Sequence, residues 1–196
     1  MTVFFSADQH WHHANILRLC QRPFASIGEM DEALIAAWNA RVGPDDTVYH
    51  LGDLTMADAA AARKLIARLN GQLRVVATPW HHDKRWLKAA LDMWWYTASG
   101  QKVTYLPPLA FVLIEGKPIT LAHYPLERWE RSHFGALHFH GHSHGRLPRV
   151  PNRLDVGVDA TVRPDYKGVT PWAPISLYEV LVLVSLQLTA EKKEEP

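Results

Sequence analysis

The chain has 196 residues, of which 47% are hydrophobic and 21% are charged, and its formal net charge is +1. These values are typical of a globular domain with a sizeable core, without the global basic field expected of a nucleic-acid-binding chain. The single cysteine, Cys20, excludes an internal disulfide framework and favours a reducing compartment. Because the N-terminus has no basic, apolar leader and the apolar run at 180–186 is too short to span a bilayer, we expect a cytoplasmic protein without a membrane anchor.

Strands and helices alternate in the first half of the chain. The apolar run Val3-Phe4-Phe5 predicts a buried strand, and Ser26-Ile27-Gly28-Glu29 predicts a helix start of the capping-box type. In chain order, the predicted elements are a strand at 3–5, a helix at 14–19, a helix at 26–42, a strand at 47–51, a helix at 56–69, a strand at 73–77 and a helix at 85–93.

The second half is a run of strands that ends in one helix. Predicted strands cover 102–105, 110–115, 118–122, 137–140 and 153–158. A second capping box, Ser176-x-x-Glu179, begins a helix that extends to about residue 188. This order of elements indicates an α/β layered fold with mixed sheets. We expect one domain over residues 1–190 and a flexible tail at 191–196.

The stretch from His138 to Gly145 holds four of the twelve histidines, at alternate positions. Alternate side chains share one face of a strand, but Gly141 and Gly145 bracket a turn for which we expect unusual backbone angles. A strand that stops at a His-x-His pair is a good place to hold a metal. From this stretch alone, a metal-binding loop and a histidine-rich surface loop are both open.

Five predicted strands each end in a potential metal ligand. They are followed by Asp8 and His10, by Asp53, by His81 or His82, by His123, and by His142 and His144. In open α/β sheets, sites form beyond the carboxyl ends of strands. The set exceeds what one tetrahedral zinc needs and suits two metals that share a bridging carboxylate, a centre whose chemistry is attack on a phosphoryl group.

These motifs, in this order, resemble those of calcineurin-like metallophosphoesterases, most closely the small bacterial and phage-type members. The matching motifs are Asp8-x-His10-x-x-His13-x-Asn15-Ile16, Gly52-Asp53, His82-Asp83, His123 before a proline, Gly141-His142-x-His144 and Asp155-x-Gly157-x-Asp159. The resemblance covers essentially the whole chain. It implies a four-layer α/β/β/α sandwich of two mixed β-sheets flanked by helices, the metallo-dependent phosphatase fold.

The resemblance also implies roles for individual residues. Asp8, His10, Asp53 and His144 would hold the first metal, with Asp53 as the bridge, while His123 and His142 would hold the second with a residue from the 78–83 loop. His82, positioned by Asp83, would contact the phosphate and assist the leaving group while a metal-bridging hydroxide attacks. The cofactors would be two divalent ions, with Mn²⁺ preferred and Fe²⁺, Ni²⁺ or Zn²⁺ also suited to these ligands.

The loop before Asp83 departs from the family pattern. The family reads Gly-Asn-His-Asp, with the Asn as a ligand of the second metal, whereas this chain reads Trp80-His81-His82-Asp83. The loop is also about two residues longer, with Pro79 and Trp80 as the candidates for the insertion. Three alternatives follow: His81 replaces the Asn as a ligand, which we favour; water fills a weak second site; or the loop is reshaped and activity is impaired.

The remaining histidines are expected to be structural, with His13 near the site because it matches the first motif. These are His12, His50, His133, His138 and His140. For Asp155 and Asp159 we favour turn or packing roles over orienting ligands.

Between positions 128 and 153 the chain has five arginines and one acidic residue, and this excess of positive charge predicts a basic lip at the site. They are Arg128, Arg131, Arg146, Arg149 and Arg153. We expect hydrolysis of small phosphodiesters or nucleotide-like substrates rather than monoesters, with nucleic acid left open as a substrate. The alternative function is a scaffold or binding module with the same fold and a degenerate site, and the oligomeric state is left open.

Overall fold

The computed structural model describes residues 1–77 and 80–194, with side chains up to residue 187, and contains nine strands and five α-helices in that range. The strands are β1 (Val3–Ser6), β2 (Thr47–His50), β3 (Gln72–Val76), β4 (Thr104–Leu106), β5 (Leu109–Ile114), β6 (Lys117–Ala122), β7 (Leu137–His140), β8 (Arg153–Asp155) and β9 (Ile175–Ser176). The helices are α1 (Ala14–Leu19), α2 (Ile27–Arg41), α3 (Ala59–Ile66), α4 (Lys84–Asp92) and α5 (Leu177–Glu194).

The strands form two mixed sheets, which confirms the predicted α/β class with two mixed sheets. The first sheet has the order β4-β3-β2-β1-β9, in which β1 to β4 are parallel and β9 is antiparallel to β1. The second has the order β5-β6-β7-β8, in which β5 is antiparallel to β6 and the other pairs are parallel. The carboxyl ends of neighbouring parallel strands therefore lie at one edge of each sheet.

Two apolar cores follow from the alternation of side chains along the central strands. On one face of the first sheet, Phe4 and Val48 pack with buried residues of α1 to α4, such as Trp38. On the other face, Phe5 and Tyr49 belong to a second core with residues of the second sheet and of α5. The first sheet is thus covered by helices on one side and by the second sheet on the other.

The outer face of the second sheet is only partly covered. Helix α5 packs against β1 and β9 of the first sheet and β8 of the second. The outward side chains of β5, Leu109, Phe111 and Leu113, are 44%, 60% and 73% exposed. Within the described residues, the expected outer layer of helices is therefore absent over β5.

Several boundaries differ from the sequence predictions. Helix α3 begins after its N-cap Asp58, whose side chain accepts a hydrogen bond from Ala61 N–H, and not at residue 56. Strand β9 was not predicted because two residues carry no periodicity. Helix α5 extends to Glu194 and so covers most of the expected tail, while residues 195–196 lie outside the described range. None of the helices in that range combines the length and apolarity that a membrane crossing needs.

Candidate metal centre

The site lies where the carboxyl ends of the two sheets meet. An isolated parallel bridge between Ala7 and Gly157 joins the segment after β1 to the segment after β8. Backbone hydrogen bonds of 3.1 Å join the other loops: Asp8 N–H to Gly52 O, His10 N–H to Asp53 O, and Gly141 N–H to His123 O. These contacts bring the ends of β1, β2, β6 and β7 to one place.

Five of the seven predicted ligands have left-handed backbone conformations. The φ angles are 61° at Asp8, 53° at His10, 55° at Asp53, 66° at His142 and 49° at His144. Asp and His tolerate this region better than most residues, yet it is uncommon outside glycine. Such conformations cluster at functional sites, where the surrounding structure holds them in place.

Two glycines leave room for the Asp8 carboxylate. A Cβ at Gly157 would lie 2.5 Å from Asp8 Oδ2, and a Cβ at Gly141 would lie 2.7 Å from the same atom. Gly145 has the expected positive φ, at 69°, but Gly141 does not. The expected reason for Gly141 was therefore wrong: glycine is required there by the close approach of Asp8 and Ala7.

Asp8, His10 and His144 form a first group of candidate ligands, with one ligand atom from each within 4.8 Å of the others. Asp8 and His10 are buried, and within the described residues Asp8 Oδ1 and His10 Nε2 have no hydrogen-bond partner. His10 Nε2 lies 3.5 Å from Asp53 Oδ2. Burial raises the pKa of Asp8 well above its ordinary value, and nearby Asp155 and Asp53 add to this while His144 opposes it. A bound cation would favour the ionised carboxylate.

His144 is oriented by a buried ion pair. Its Nδ1 lies 2.6 Å from Asp159 Oδ2, which leaves the other ring nitrogen for a metal. The Arg22 guanidinium donates to both oxygens of Asp159, at 2.9 and 2.8 Å, and to the backbone carbonyl of Asp8 at 2.6 Å. Burial lowers the pKa of His144, but the hydrogen bond to Asp159 and the neighbouring Cys20 and Asp8 raise it to about 10.

Turn or packing roles were expected for both Asp155 and Asp159, and this expectation is correct for Asp155 alone. Asp155 has a turn role, since its carboxylate accepts hydrogen bonds from Gly145 N–H and Gly157 N–H at 2.8 Å and from the Ser143 hydroxyl. Asp159 instead orients His144 and pairs with Arg22. Because Arg22 lies 137 positions before Asp159, no local pattern indicated this pair.

Asp53, His81, His123 and His142 form a second group, again with ligand atoms within 4.8 Å of one another. Asp53 Oδ1 lies 2.8 Å from His81 Nδ1, and Asp53 Oδ2 lies 3.6 Å from His123 Nε2. Burial would raise the pKa of Asp53, but the hydrogen bond from His81 and the nearby His10 and His123 bring it well below its usual value. Asp53 therefore belongs to the second group and also lies near the first, with its Oδ2 at 3.5 Å from His10 Nε2, and its role as a bridge stays a prediction.

His123 is held on the strand side of this group. Its Nδ1 lies 2.8 Å from the carbonyl oxygen of Leu51, and its buried Nε2, which faces Asp53, has no hydrogen-bond partner within the described residues. Burial lowers the pKa of His123 to about 4, so the ring is neutral at pH 7. By contrast, His142 is exposed and His81 is half-buried.

The predicted pairing of Asp83 with His82 is wrong. The buried Asp83 carboxylate accepts hydrogen bonds from the backbone N–H of Leu54 and Thr55 and from the indole of Trp86, at 2.9 to 3.2 Å. Burial and the nearby Asp53 raise the pKa of Asp83 to about 6. Asp83 therefore anchors the 80–83 loop to the Asp53 loop. Residues 78 and 79, which include the proposed insertion at Pro79, lie outside the described range.

His82 instead adjoins the first motif. Its ring centroid lies 5.2 Å from that of His10 and 5.4 Å from that of His13. His13 Nδ1 lies 3.2 Å from His10 Nδ1, so His13 touches the site as expected. His10, His13 and His82 also form a third group that could hold a metal.

The histidines expected to be structural are placed accordingly where their contacts are described. His138 is buried, with Nδ1 at 3.1 Å from Thr120 O and Nε2 at 3.0 Å from Leu126 N–H. His140 Nδ1 lies 2.8 Å from Gly141 O. His50 is buried against Gln9, and His12 lies beside Thr55 and Asp31.

The five arginines do not form the predicted basic lip. Arg149 pairs with Asp165, and Arg153 donates to Leu126 O. Arg128 and Arg131 line a cavity of about 380 Å³ on the outer face of the second sheet. Arg146 lines a cavity of about 300 Å³ beside the predicted ligand His144, together with Cys20.

The residues of the two groups fit divalent ions. Three buried ligand atoms, Asp8 Oδ1, His10 Nε2 and His123 Nε2, have no hydrogen-bond partner within the described residues. Buried polar atoms are ordinarily satisfied, so such atoms require an explanation. Imidazole nitrogens with carboxylate oxygens are the donor set of Mn²⁺, Fe²⁺, Ni²⁺ and Zn²⁺. Metal ligation by the seven residues stays a prediction that this arrangement allows.

Comparisons with known proteins supply a fold but no activity. No protein-family model matches the chain. It is 42% identical over 84 residues to the uncharacterized protein MJ1445 of Methanocaldococcus jannaschii, a match over 42% of this chain and 47% of that protein, so the chain spans about half the length of this relative. The crystal structure of the protein of unknown function AQ665 from Aquifex aeolicus is similar with a TM-score of 0.63 and 22% identity, over 93% of this chain and 98% of that one. This similarity shows a shared fold.

Proposed function

We propose that the chain is a dinuclear-metal-dependent phosphoesterase with the metallo-dependent phosphatase fold of the calcineurin-like enzymes. The observation that carries the proposal is the pair of adjoining ligand groups, with three buried ligand atoms that have no hydrogen-bond partner within the described residues. A centre built only for packing would have these atoms hydrogen-bonded. The motif order in the sequence supports the same function independently.

The two groups define which residues would hold the ions. Asp8, His10 and His144 would hold one, His81, His123 and His142 the other, and Asp53 would contact both. When bound, the two ions would lower the pKa of a shared water toward about 7 and polarise a phosphoryl oxygen.

The protein's own groups would position and protonate the substrate. His82 is half-buried beside His10 and His13, so it can reach a phosphate bound at the first group. We assign it to stabilising or protonating the leaving oxygen. Since the Asp83 carboxylate is engaged elsewhere, the rings that adjoin His82 are those of His10, at 5.2 Å, and His13, at 5.4 Å.

The substrate would be a small phosphodiester or a nucleotide-like molecule. The scatter of the arginines removes the extended basic surface that a long nucleic acid would need. Arg146 is the cation placed in a cavity beside His144, where it suits a compact anion.

The test combines metal content with hydrolysis. Protein loaded with Mn²⁺ should bind two ions per chain and hydrolyse bis(p-nitrophenyl) phosphate faster than p-nitrophenyl phosphate. Asp53→Asn should lower that activity by more than about 100-fold. This loss is larger than the one expected from substituting a residue that only supports a ligand. Asp45→Asn, the same change at an exposed residue, serves as the control. Two bound ions without hydrolysis of any ester in a broad panel would refute the enzyme.

A binding module with a degenerate site is the second candidate, and one observation favours it. The expected Asp83–His82 pair is not formed, so His82 lacks the carboxylate that was to position it. A module of this kind need not bind metal. Chains that bind no ion under any loading condition would favour it over the enzyme.

A further inference from the structure

Tyr124 lies beside the second ligand group and has no role among the seven predicted ligands. It follows His123, and its ring centroid lies 4.8 to 5.3 Å from the rings of His81, His123 and His142. Its hydroxyl is hydrogen-bonded to His81 Nε2. On the other side of the same imidazole, His81 Nδ1 faces Asp53 Oδ1 at 2.8 Å.

We propose that Tyr124 is a positioning residue that makes His81 a working ligand in place of the missing Asn. This inference rests on the proposed metal centre and adds to it a residue outside the seven predicted ligands. With Nε2 turned to the phenol, Nδ1 is the His81 nitrogen that faces the shared carboxylate. The metal would therefore be bound through Nδ1.

The Tyr124 phenol can hydrogen-bond to the His81 ring both without and with a bound metal. A neutral imidazole carries one N–H, and a carboxylate can only accept. Without metal, His81 Nδ1–H donates to Asp53, and Nε2 accepts the Tyr124 hydroxyl proton. When Nδ1 binds a metal, the proton must be on Nε2, which then donates to the Tyr124 oxygen. A phenol can play both parts because it is a donor and an acceptor.

The loop gives a physical reason for such a partner. Trp80 is 87% exposed, so the residue before His81 contributes little packing. On the other side, Asp83 is tied to Leu54 and Thr55. Between these points the His81 ring is fixed by its contacts, and Tyr124 supplies them from a position two residues past the end of β6. Groups that hold the second nitrogen of a ligating histidine set both its tautomer and its orientation.

The test is Tyr124→Phe, which removes the hydroxyl and keeps the ring. Titration with Co²⁺, followed by its visible absorption and by calorimetry, should show about 10- to 100-fold weaker binding of the second ion and unchanged binding of the first. Tyr178→Phe, the same change at a residue 76% exposed on α5, should alter neither. Equal binding of both ions by Tyr124→Phe and wild type would overturn the proposal.

The same substitution in a His81→Asn protein distinguishes positioning of His81 from a general effect on metal binding. In His81→Asn, which restores the family's amide, Tyr124→Phe should have no further effect on the second ion. An equal loss in both backgrounds would show that Tyr124 acts elsewhere and would overturn the proposal. In ¹⁵N spectra of wild type, the His81 proton should move from Nδ1 to Nε2 on Zn²⁺ binding; a proton that stays on Nδ1 would also overturn it.

These readouts need no catalysis. If wild type binds two ions and Tyr124→Phe is unaltered, the inference fails while the proposed centre stands. If wild type binds none, the proposed function itself fails.

Discussion

The two halves of the candidate centre are built differently. Asp8 and His10 of the first group are buried, and His144 is held by the Asp159–Arg22 pair. In the second group His142 is exposed, and His81 lies on the loop between the exposed Trp80 and the anchored Asp83. Only Asp53 and His123 are buried there.

This difference bears on how each half would bind an ion. In the first half the protein has already ordered its side chains in the fold, so an ion there need not organise them. In the second half part of the binding energy would be spent on ordering the exposed side chain of His142. We therefore expect a tight first ion and a weaker second one, and the following changes test that asymmetry.

The largest effect is expected from Asp8→Asn. The change removes a charge from the buried group and leaves His10 and His144 without their carboxylate. We expect loss of the tight ion and a fall of more than about 100-fold in diester hydrolysis, beyond the effect of supporting residues. Metal titration beside the assay checks this. Retention of the tight ion by Asp8→Asn would place that ion elsewhere.

Arg22→Met should reduce the free energy of unfolding by about 3–5 kcal/mol, because it leaves the buried Asp159 carboxylate without its guanidinium partner and with His144 alone beside it. Urea unfolding of metal-free protein measures this. Arg68→Met is the matched control: Arg68 also pairs with a carboxylate, Glu32, but both are exposed, so the loss should stay below about 1 kcal/mol. Equal losses in the two variants would contradict a preorganised first half.

Gly157→Ala tests the room left for Asp8. The added Cβ would lie 2.5 Å from Asp8 Oδ2, so the carboxylate must move. We expect a cost of about 1–3 kcal/mol in stability and weaker binding of the first ion, with the second group intact. Gly28→Ala, where a Cβ meets nothing within 4 Å, is the control. Unchanged first-ion binding in Gly157→Ala would show that Asp8 is not held as described.

At neutral pH the smallest effect is expected from the titration of His138, on strand β7, which leads to both halves. Burial lowers the pKa of His138 to about 4 from 6.5, so between these pH values the unfolded chain takes up a proton that the folded chain does not. The stability of metal-free protein should therefore fall with falling pH, with about 1.4 kcal/mol per pH unit from this residue. His138→Gln should flatten the slope between pH 6.5 and 4 by that amount in urea unfolding. An unaltered slope would mean that His138 is not the neutral, buried ring described here.

The sequence predicted the helices and strands whose apolar side chains recur periodically, and it predicted the candidate ligands that follow the strands. Strand β7 and helix α1 agree with their predicted bounds, and Ser26 caps α2 as its capping box indicated. The ligands could be located because a strand end is a local signal. Parallel order then brings such ends to one edge of a sheet.

The supporting contacts could not be predicted, because their partners are distant in sequence. Asp83 finds its donors 28 and 29 positions earlier, at Thr55 and Leu54, instead of at the adjacent His82. Tyr124 and His81 are 43 positions apart. Gly141 was recognised as special, but its close contact with Asp8 is visible only once the two sheets are placed together.

The most direct test of the two-part centre is anomalous diffraction from crystals soaked in Mn²⁺. We expect two peaks, one among Asp8, His10 and His144 and one among His81, His123 and His142, with Asp53 contacting both and the second peak weaker at low Mn²⁺. No peak beside Asp53, or a single ion held by His10, His13 and His82, would contradict it.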